Sequence, residues 1–173
     1  TKREVRINVL SSLQVKAKDI VWDIGAGCGS VAVECALWQA ACRVFAVERN
    51  PLRCEFIRKN RDHFGVQDNL ELVQGSAPEV LDKLPTPDVV FIGGSGTQLD
   101  ALLNQCWQRL AARGRMLVVS ISEHSRSRLH LFSQQREAFW SQIAYSKDSL
   151  LANQRTLQPQ FPVLLVKLVK STA

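Results

Sequence analysis

The sequence predicts an α/β domain with a largely parallel sheet and helices on both faces, and three observations carry that expectation. Apolar runs of strand length alternate with helical patterns from end to end. The last of these runs shows little polar alternation, as expected of a strand buried on both faces. No repeat, low-complexity tract or linker divides the 173 residues, a length that suits one domain over 1–173.

Each element has its own signal. Val5, Val9, Leu10 and Leu13 share one face of a helix in EVRINVLSSL, 4–13. DIVWDI, 19–24, is a short buried strand, and SVAVECALW, 30–38, is the helix after a run of glycines. RVFAVE, 43–48, is a second strand ending in Glu48. In 50–65 a helix has Asn50 as N-cap, Pro51 in the first turn and Gly65 past its end. NLELVQG, 69–75, is a third strand, PEVLDKL, 78–84, a short helix, and PDVVFIGG, 87–94, a fourth strand. A helix over 97–111 turns Leu99, Leu102, Leu103 and Leu110 inward. GRMLVVSIS, 114–122, is a fifth strand, 123–139 is helical, and FWSQIAYS, 139–146, and FPVLLVKLV, 161–169, supply a sixth and a seventh strand.

Charge is unevenly spread. Residues 1–100 hold 12 Lys/Arg against 13 Asp/Glu, a net of −1, while 101–173 hold 10 against 3, a net of +7. Such a basic second part suits an anionic partner, whether nucleic acid, a polycarboxylate or a phosphorylated ligand, and equally suits a solvated surface. The five cysteines are odd in number and none is spaced C-x-x-C, which reads as reduced thiols in a cytoplasmic compartment, with no metal site. No apolar stretch approaches the roughly 20 residues of a membrane span. The opening residues lack the apolar core of a signal peptide. Thr1 stands where an initiator Met would, which implies processing or a longer parent chain.

The chemistry concentrates in VWDIGAGCGSVAVE, 21–34, where Asp23, Gly25, Gly27 and Gly29 lie between a strand and a helix. Ligands of parallel α/β sheets bind at the carboxyl ends of the strands. Glycine permits a tight turn and close approach of a ligand to the backbone. The dinucleotide pattern G-x-G-x-x-G fails at Ser30, whereas G-x-G-x-G after an acid, with Glu48 ending the next strand, resembles motif I of class I S-adenosylmethionine-dependent methyltransferases. That resemblance implies that the turn holds the methionine end of the cofactor and that the Glu48 carboxylate accepts from both ribose hydroxyls.

Further stretches narrow the resemblance. TKREVR at 1–6, WDIGAGCGSVAVE at 22–34, GSAPE at 75–79, PDVVFIGGSG at 87–96 and FPVLLV at 161–166 occur in that order. Together they resemble the CbiT family and the similar C-terminal domain of CobL, cobalamin-pathway enzymes that act on precorrin-6B or its cobalt form. The resemblance implies a Rossmann-like class I methyltransferase fold, with a seven-stranded, mostly parallel sheet whose last strand is antiparallel. It implies methylation of carbon 15 with decarboxylation of the ring C acetate, a homo-oligomer that is often a tetramer, and a cognate carbon-5 methyltransferase domain as a possible partner. By position, Thr1, Asp23, Gly25, Ala26, Gly27, Cys28, Gly29, Glu48, Ser76, Ala77, Gly93 and Gly94 would bind S-adenosylmethionine.

Three departures from the family pattern stand out. Ser76 replaces an acid in GSAPE; Ser120 and Ser125 in SISEHS occupy Asn and Glu positions; and Phe161 replaces the Asn of an Asn-Pro-Val run. The last two bear on the substrate side and leave the decarboxylation open. Arg126, Arg128 and Arg155 are candidates for substrate carboxylates, since guanidinium pairs with them in bidentate fashion. Glu123 and His124 read either as proton shuttles or as a polar helix start capped by Ser122. No catalytic triad or metal ligand set is visible. An RNA methyltransferase of the same fold and a non-catalytic cofactor-binding partner domain are the alternatives, although no arginine-rich arm or added RNA-binding domain accompanies the chain.

Overall fold

A computed structural model describes residues 1–94, 98–151 and 154–172. Seven strands form one sheet: β1 (Ile20–Ile24), β2 (Arg43–Glu48), β3 (Leu70–Gln74), β4 (Val89–Ile92), β5 (Arg115–Ser120), β6 (Glu137–Ile143) and β9 (Val163–Val169). Their order is β3-β2-β1-β4-β5-β9-β6. The pairs from β3 through β5 are parallel, and β9 runs antiparallel to both β5 and β6. This is the sheet the sequence predicts, with the reversed last strand inserted inside the edge.

Both faces are covered because the central strands are apolar on both sides. Helices α1 (Arg3–Leu13), α2 (Ser30–Trp38) and α3 (Pro51–His63) pack through Val9, Leu13, Val33 and Ile57 against Val21, Val44 and Leu117. Helices α4 (Leu99–Arg109) and α5 (Glu123–Ser133) pack through Leu102, Leu103 and Leu129 against Trp22, Val90 and Val166. The four inward leucines and valines expected on α1 are buried, as are Leu99, Leu102, Leu103 and Leu110. Arg115 ties the start of β5 to the loop after α1: its guanidinium donates to the Leu13 and Gln14 carbonyls and pairs with Asp19 at 2.6 Å.

The structure corrects the second part of the chain. The helix expected over 123–139 ends at Ser133, and 137–143 is strand β6. Helix and strand meet where Arg136 donates to the Phe132 carbonyl and lies over the Phe132 and Trp107 rings, so the C-terminus of α5 carries a cation. Two further strands, β7 (Ser146–Leu151) and β8 (Gln154–Pro159), form a separate antiparallel hairpin. They escape sequence reading because neither alternates: Leu150, Leu151 and Leu157 are all exposed. The helix expected over 78–84 contracts to a single 3-10 turn, Leu81–Lys83. The Ser95-Gly96 end of the 87–96 motif and Thr97 lie outside the described residues.

Candidate functional site

The turn after β1 closes onto its neighbours through the backbone. The Gly25 and Ala26 N–H groups both donate to the Val47 carbonyl, at 3.0 and 3.1 Å, and Gly93 N–H donates to the Ile24 carbonyl at 2.9 Å. The ends of β1, β2 and β4 are thereby locked in register, and a cavity of about 440 Å³ opens beside them. That volume suits a small-molecule ligand.

The three glycines of the turn each answer a different constraint. All have positive φ, between 63° and 78°. A Cβ on Gly25 would lie 2.5 Å from the Gly94 carbonyl oxygen, so what approaches closely there is the end of β4. A Cβ on Gly29 would press on the Ile57 side chain of α3 at 3.1 Å. At Gly27 it would meet nothing within 4 Å, and the backbone conformation alone requires glycine.

Glu48 ends β2 and is 4% exposed. Its Oε2 accepts from Gly27 N–H and its Oε1 from Asn50 N–H, both at 2.9 Å. The carboxylate is therefore held on two sides, yet each oxygen keeps a second lone pair for a ligand hydroxyl. Asp23 sits behind the wall, 1% exposed. Its Oδ2 accepts from Ala32 N–H at 3.0 Å, capping α2, whose N-cap Gly29 has no side chain to do so. Its Oδ1 is buried without a partner. Burial pushes the Asp23 carboxyl up to about 7, opposed by the Ala32 bond and reinforced by the charge of Glu48.

Of the residues expected to bind cofactor, Gly25, Glu48, Ser76, Ala77, Gly93 and Gly94 line the cavity. Ala26, Gly27, Cys28 and Gly29 build the turn beside it without lining it. Cys28 is exposed and its carbonyl accepts from Asn60 Nδ2 at 2.8 Å, which fastens the turn to α3. Thr1 is exposed, and its carbonyl accepts from Arg6 at 2.9 Å. Sequence reasoning missed Arg49, Arg53, Gln98 and Leu102 in the lining. The signal for Arg49 and Arg53 was their place directly after Glu48; Gln98 and Leu102 reach the cavity only through the packing of α4.

The three candidate substrate arginines are not equivalent. Arg126 donates to Gln142 Oε1 and to the Pro162 carbonyl, both at 3.3 Å, and so joins α5 to β6 and β9. Arg128 pairs with Asp100 across α4 and α5. Arg155 stands on the hairpin with its side chain 85% exposed and only a loose 3.9 Å approach to Asp148. Ser122 caps α5 by accepting from Ser125 N–H at 3.2 Å, as the structural reading of SISEHS expects. Ser120 Oγ meets the Ser122 carbonyl at 3.3 Å. The thiols of Cys35, Cys42, Cys54 and Cys106 are all raised by burial, which makes them poor nucleophiles.

Comparison with known proteins adds to this geometry. A family model described as a precorrin methyltransferase domain matches residues 1–170. A precorrin-6Y C(5,15)-methyltransferase (decarboxylating) of Sinorhizobium is 37% identical over 122 residues, covering 70% of this chain and 29% of the relative. A probable cobalt-precorrin-6B C(15)-methyltransferase (decarboxylating) of Pyrobaculum calidifontis is 40% identical over 111 residues, covering 64% of this chain and 57% of the relative. This chain thus spans well under two thirds of either relative. The crystal structure of a precorrin-6Y C5,15-methyltransferase from Geobacter metallireducens superposes with a TM-score of 0.90 at 33% identity, covering 98% of this chain and 90% of that one.

Proposed function

The chain belongs to the precorrin methyltransferase family, and from that premise we propose that it methylates carbon 15 of precorrin-6B or its cobalt form, using S-adenosylmethionine, with loss of carbon dioxide from the ring C acetate. The observation that carries the cofactor assignment is the Glu48 carboxylate, buried at the wall of a 440 Å³ cavity and oriented by two backbone N–H groups. A preorganised acceptor with free lone pairs fits a ribose diol.

Bound there, the cofactor supplies an electrophilic sulfonium methyl. Glu48 fixes the ribose, the Gly25 turn shapes the amino-acid end, and Ser76 and Ala77 border the adenine. Gly94 leaves its side of the cavity open, since a Cβ there would meet nothing within 4 Å. The reduced macrocycle's meso carbon is enamine-like, so the protein must mainly hold it in line at near-attack distance. The new bond would join that carbon to the methyl as the methyl–sulfur bond breaks, its electron pair returning to sulfur and S-adenosylhomocysteine leaving. In the decarboxylation, the bond between the acetate methylene and its carboxyl breaks, and the electron pair enters the protonated macrocycle.

The hairpin favours a homo-oligomer: an isolated two-stranded hairpin is marginal in water, and Leu150, Leu151 and Leu157 stand bare on it. A cognate carbon-5 methyltransferase domain is a partner consistent with the 29% share of the Sinorhizobium relative. Among the described residues no helix is long and apolar enough to cross a membrane; the odd number of free cysteines supports a reducing, cytoplasmic compartment. The test is incubation with precorrin-6B and methyl-labelled cofactor, followed by mass spectrometry. Gain of one methylene unit with loss of carbon dioxide supports the proposal. Methylation of transfer RNA with no change to precorrin-6B would sink it.

A further inference from the structure

Gly94 lines the cavity, and the sheet register identifies its neighbours. Ile92 of β4 pairs with Val118 of β5, which brings the chain to the level of Ser120 where Gly94 follows; Ser120 in turn pairs with Leu164 of β9. Adjacent strands are about 4.8 Å apart. The open cavity end, the end of β5 and the start of β9 therefore stand side by side on the carboxyl edge.

Two large apolar side chains are bare on that stretch. Ile121, one residue past Ser120, is 67% exposed, and Phe161, three residues before Leu164, is 86% exposed. The loop carrying Phe161 is tethered on both sides. Gln160 N–H donates to the Tyr145 carbonyl at 2.9 Å, and Gln160 Oε1 accepts from Lys2 Nζ at 3.0 Å. On the other side, the Pro162 carbonyl accepts from Arg126. Two large apolar groups bare on adjoining strand ends, one of them on a tethered loop, mark a contact surface. The flanking cation Lys2, exposed beside the loop, marks a partner with carboxylates.

We propose that Phe161 and Ile121 form the platform on which an apolar face of the tetrapyrrole rests, setting its reacting edge toward Gly94. This inference rests on the precorrin reading above. A flat conjugated macrocycle rimmed with acetates and propionates matches an aromatic plate with a cationic border. The hairpin leucines, by contrast, belong to a separate two-stranded sheet that does not pair with the strands bearing the cavity. Phe161 is thus a specificity-determining residue.

The experiment titrates uroporphyrin, a stable tetrapyrrole polycarboxylate, into protein saturated with S-adenosylhomocysteine, and follows with precorrin-6B kinetics. Phe161→Ala should weaken uroporphyrin binding and raise the KM for precorrin-6B, each about tenfold, with kcat and S-adenosylhomocysteine affinity unchanged. Phe161→Trp should retain binding, and Leu131→Ala, an exposed change on α5, should alter nothing. Wild-type behaviour of Phe161→Ala overturns the platform, as does a drop in oligomeric mass by light scattering in that variant, which would make Phe161 a subunit contact. Phe161-dependent uroporphyrin binding without methyl transfer to precorrin-6B leaves the platform standing and removes the reaction. Absence of any tetrapyrrole binding by the wild type overturns both.

Discussion

Along the carboxyl edge of the sheet, the stretch from β3 to β4 presents backbone N–H groups and one buried carboxylate, whereas the stretch from β5 to β6 presents exposed apolar and cationic side chains. In the first, Gly25, Gly93 and Glu48 are fixed by hydrogen bonds between strand ends, with Arg49 and Arg53 beside them in the cavity wall. In the second, two of three candidate arginines are engaged in joining elements to one another, and the apolar groups are uncovered. Backbone geometry suits a cofactor that is the same in every turnover. Side chains suit a substrate whose shape a family can change, and they leave more of the recognition to exposed positions.

The largest expected effect breaks the rigid side of this comparison. Gly25→Ala forces a Cβ to within 2.5 Å of the Gly94 oxygen and also strains a φ of 69°. It should cost about 3 kcal/mol of stability, whereas Gly27→Ala, with open space around its Cβ, should cost about 1 kcal/mol from backbone strain alone. Urea unfolding of the two variants measures the difference, and equal losses would refute the assignment of distinct roles. Next comes Glu48→Ala, which should weaken S-adenosylhomocysteine binding by about 1.5–3 kcal/mol in a calorimetric titration. Because Glu48 also holds Gly27 and Asn50, the variant should melt at a lower temperature even without ligand. An unchanged affinity would remove Glu48 from the site.

A third prediction uses Asp23. Its folded pKa is raised to about 7 by burial, well above the ordinary carboxylate value, so its favourable contribution is full below about pH 4 and lost as pH rises toward 7. Asp23→Asn removes that titration. The melting temperature of the wild type minus that of Asp23→Asn should therefore fall between pH 4 and pH 8 and level off above; a difference independent of pH would show that Asp23 ionises normally. The smallest effects sharpen the substrate side. Arg128→Ala breaks a partly exposed pair with Asp100 and should cost under about 1 kcal/mol, with KM for precorrin-6B unchanged. Arg155→Ala should raise that KM a few-fold, most visibly at low salt, because its charge is unscreened by any close partner. The reverse ranking would show that Arg128 leaves Asp100 to meet the substrate.

Much of the cofactor side was legible because its signals are local. A strand, a glycine turn and a helix follow one another within 20–38, and an acid closes the next strand at 48. Local steric rules decide such elements and pointed to Gly25 and Glu48, while Ser76, Ala77, Gly93 and Gly94, which also line the cavity, were expected from the family resemblance alone. The hairpin of β7 and β8 was not, because its exposed strands have no buried face to impose a two-residue period. The end of α5 at Ser133 was not, because what stops it is an Arg136 stack on Trp107, a residue of α4.

The sequence by itself determined the layered α/β architecture, the position of the turn and the acid that faces it, since hydrophobic period and glycine placement act through near neighbours in the chain. It could not decide why each glycine is there: only the folded chain shows that Gly25 yields to the backbone of Gly94, Gly29 to Ile57 and Gly27 to its own φ. Nor could it decide which arginines remain available, because Arg126 and Arg128 meet Pro162 and Asp100 from 36 and 28 residues away. Contacts of that range depend on how helices and strands pack in three dimensions, and the free or engaged state of a charged side chain is a property of that packing.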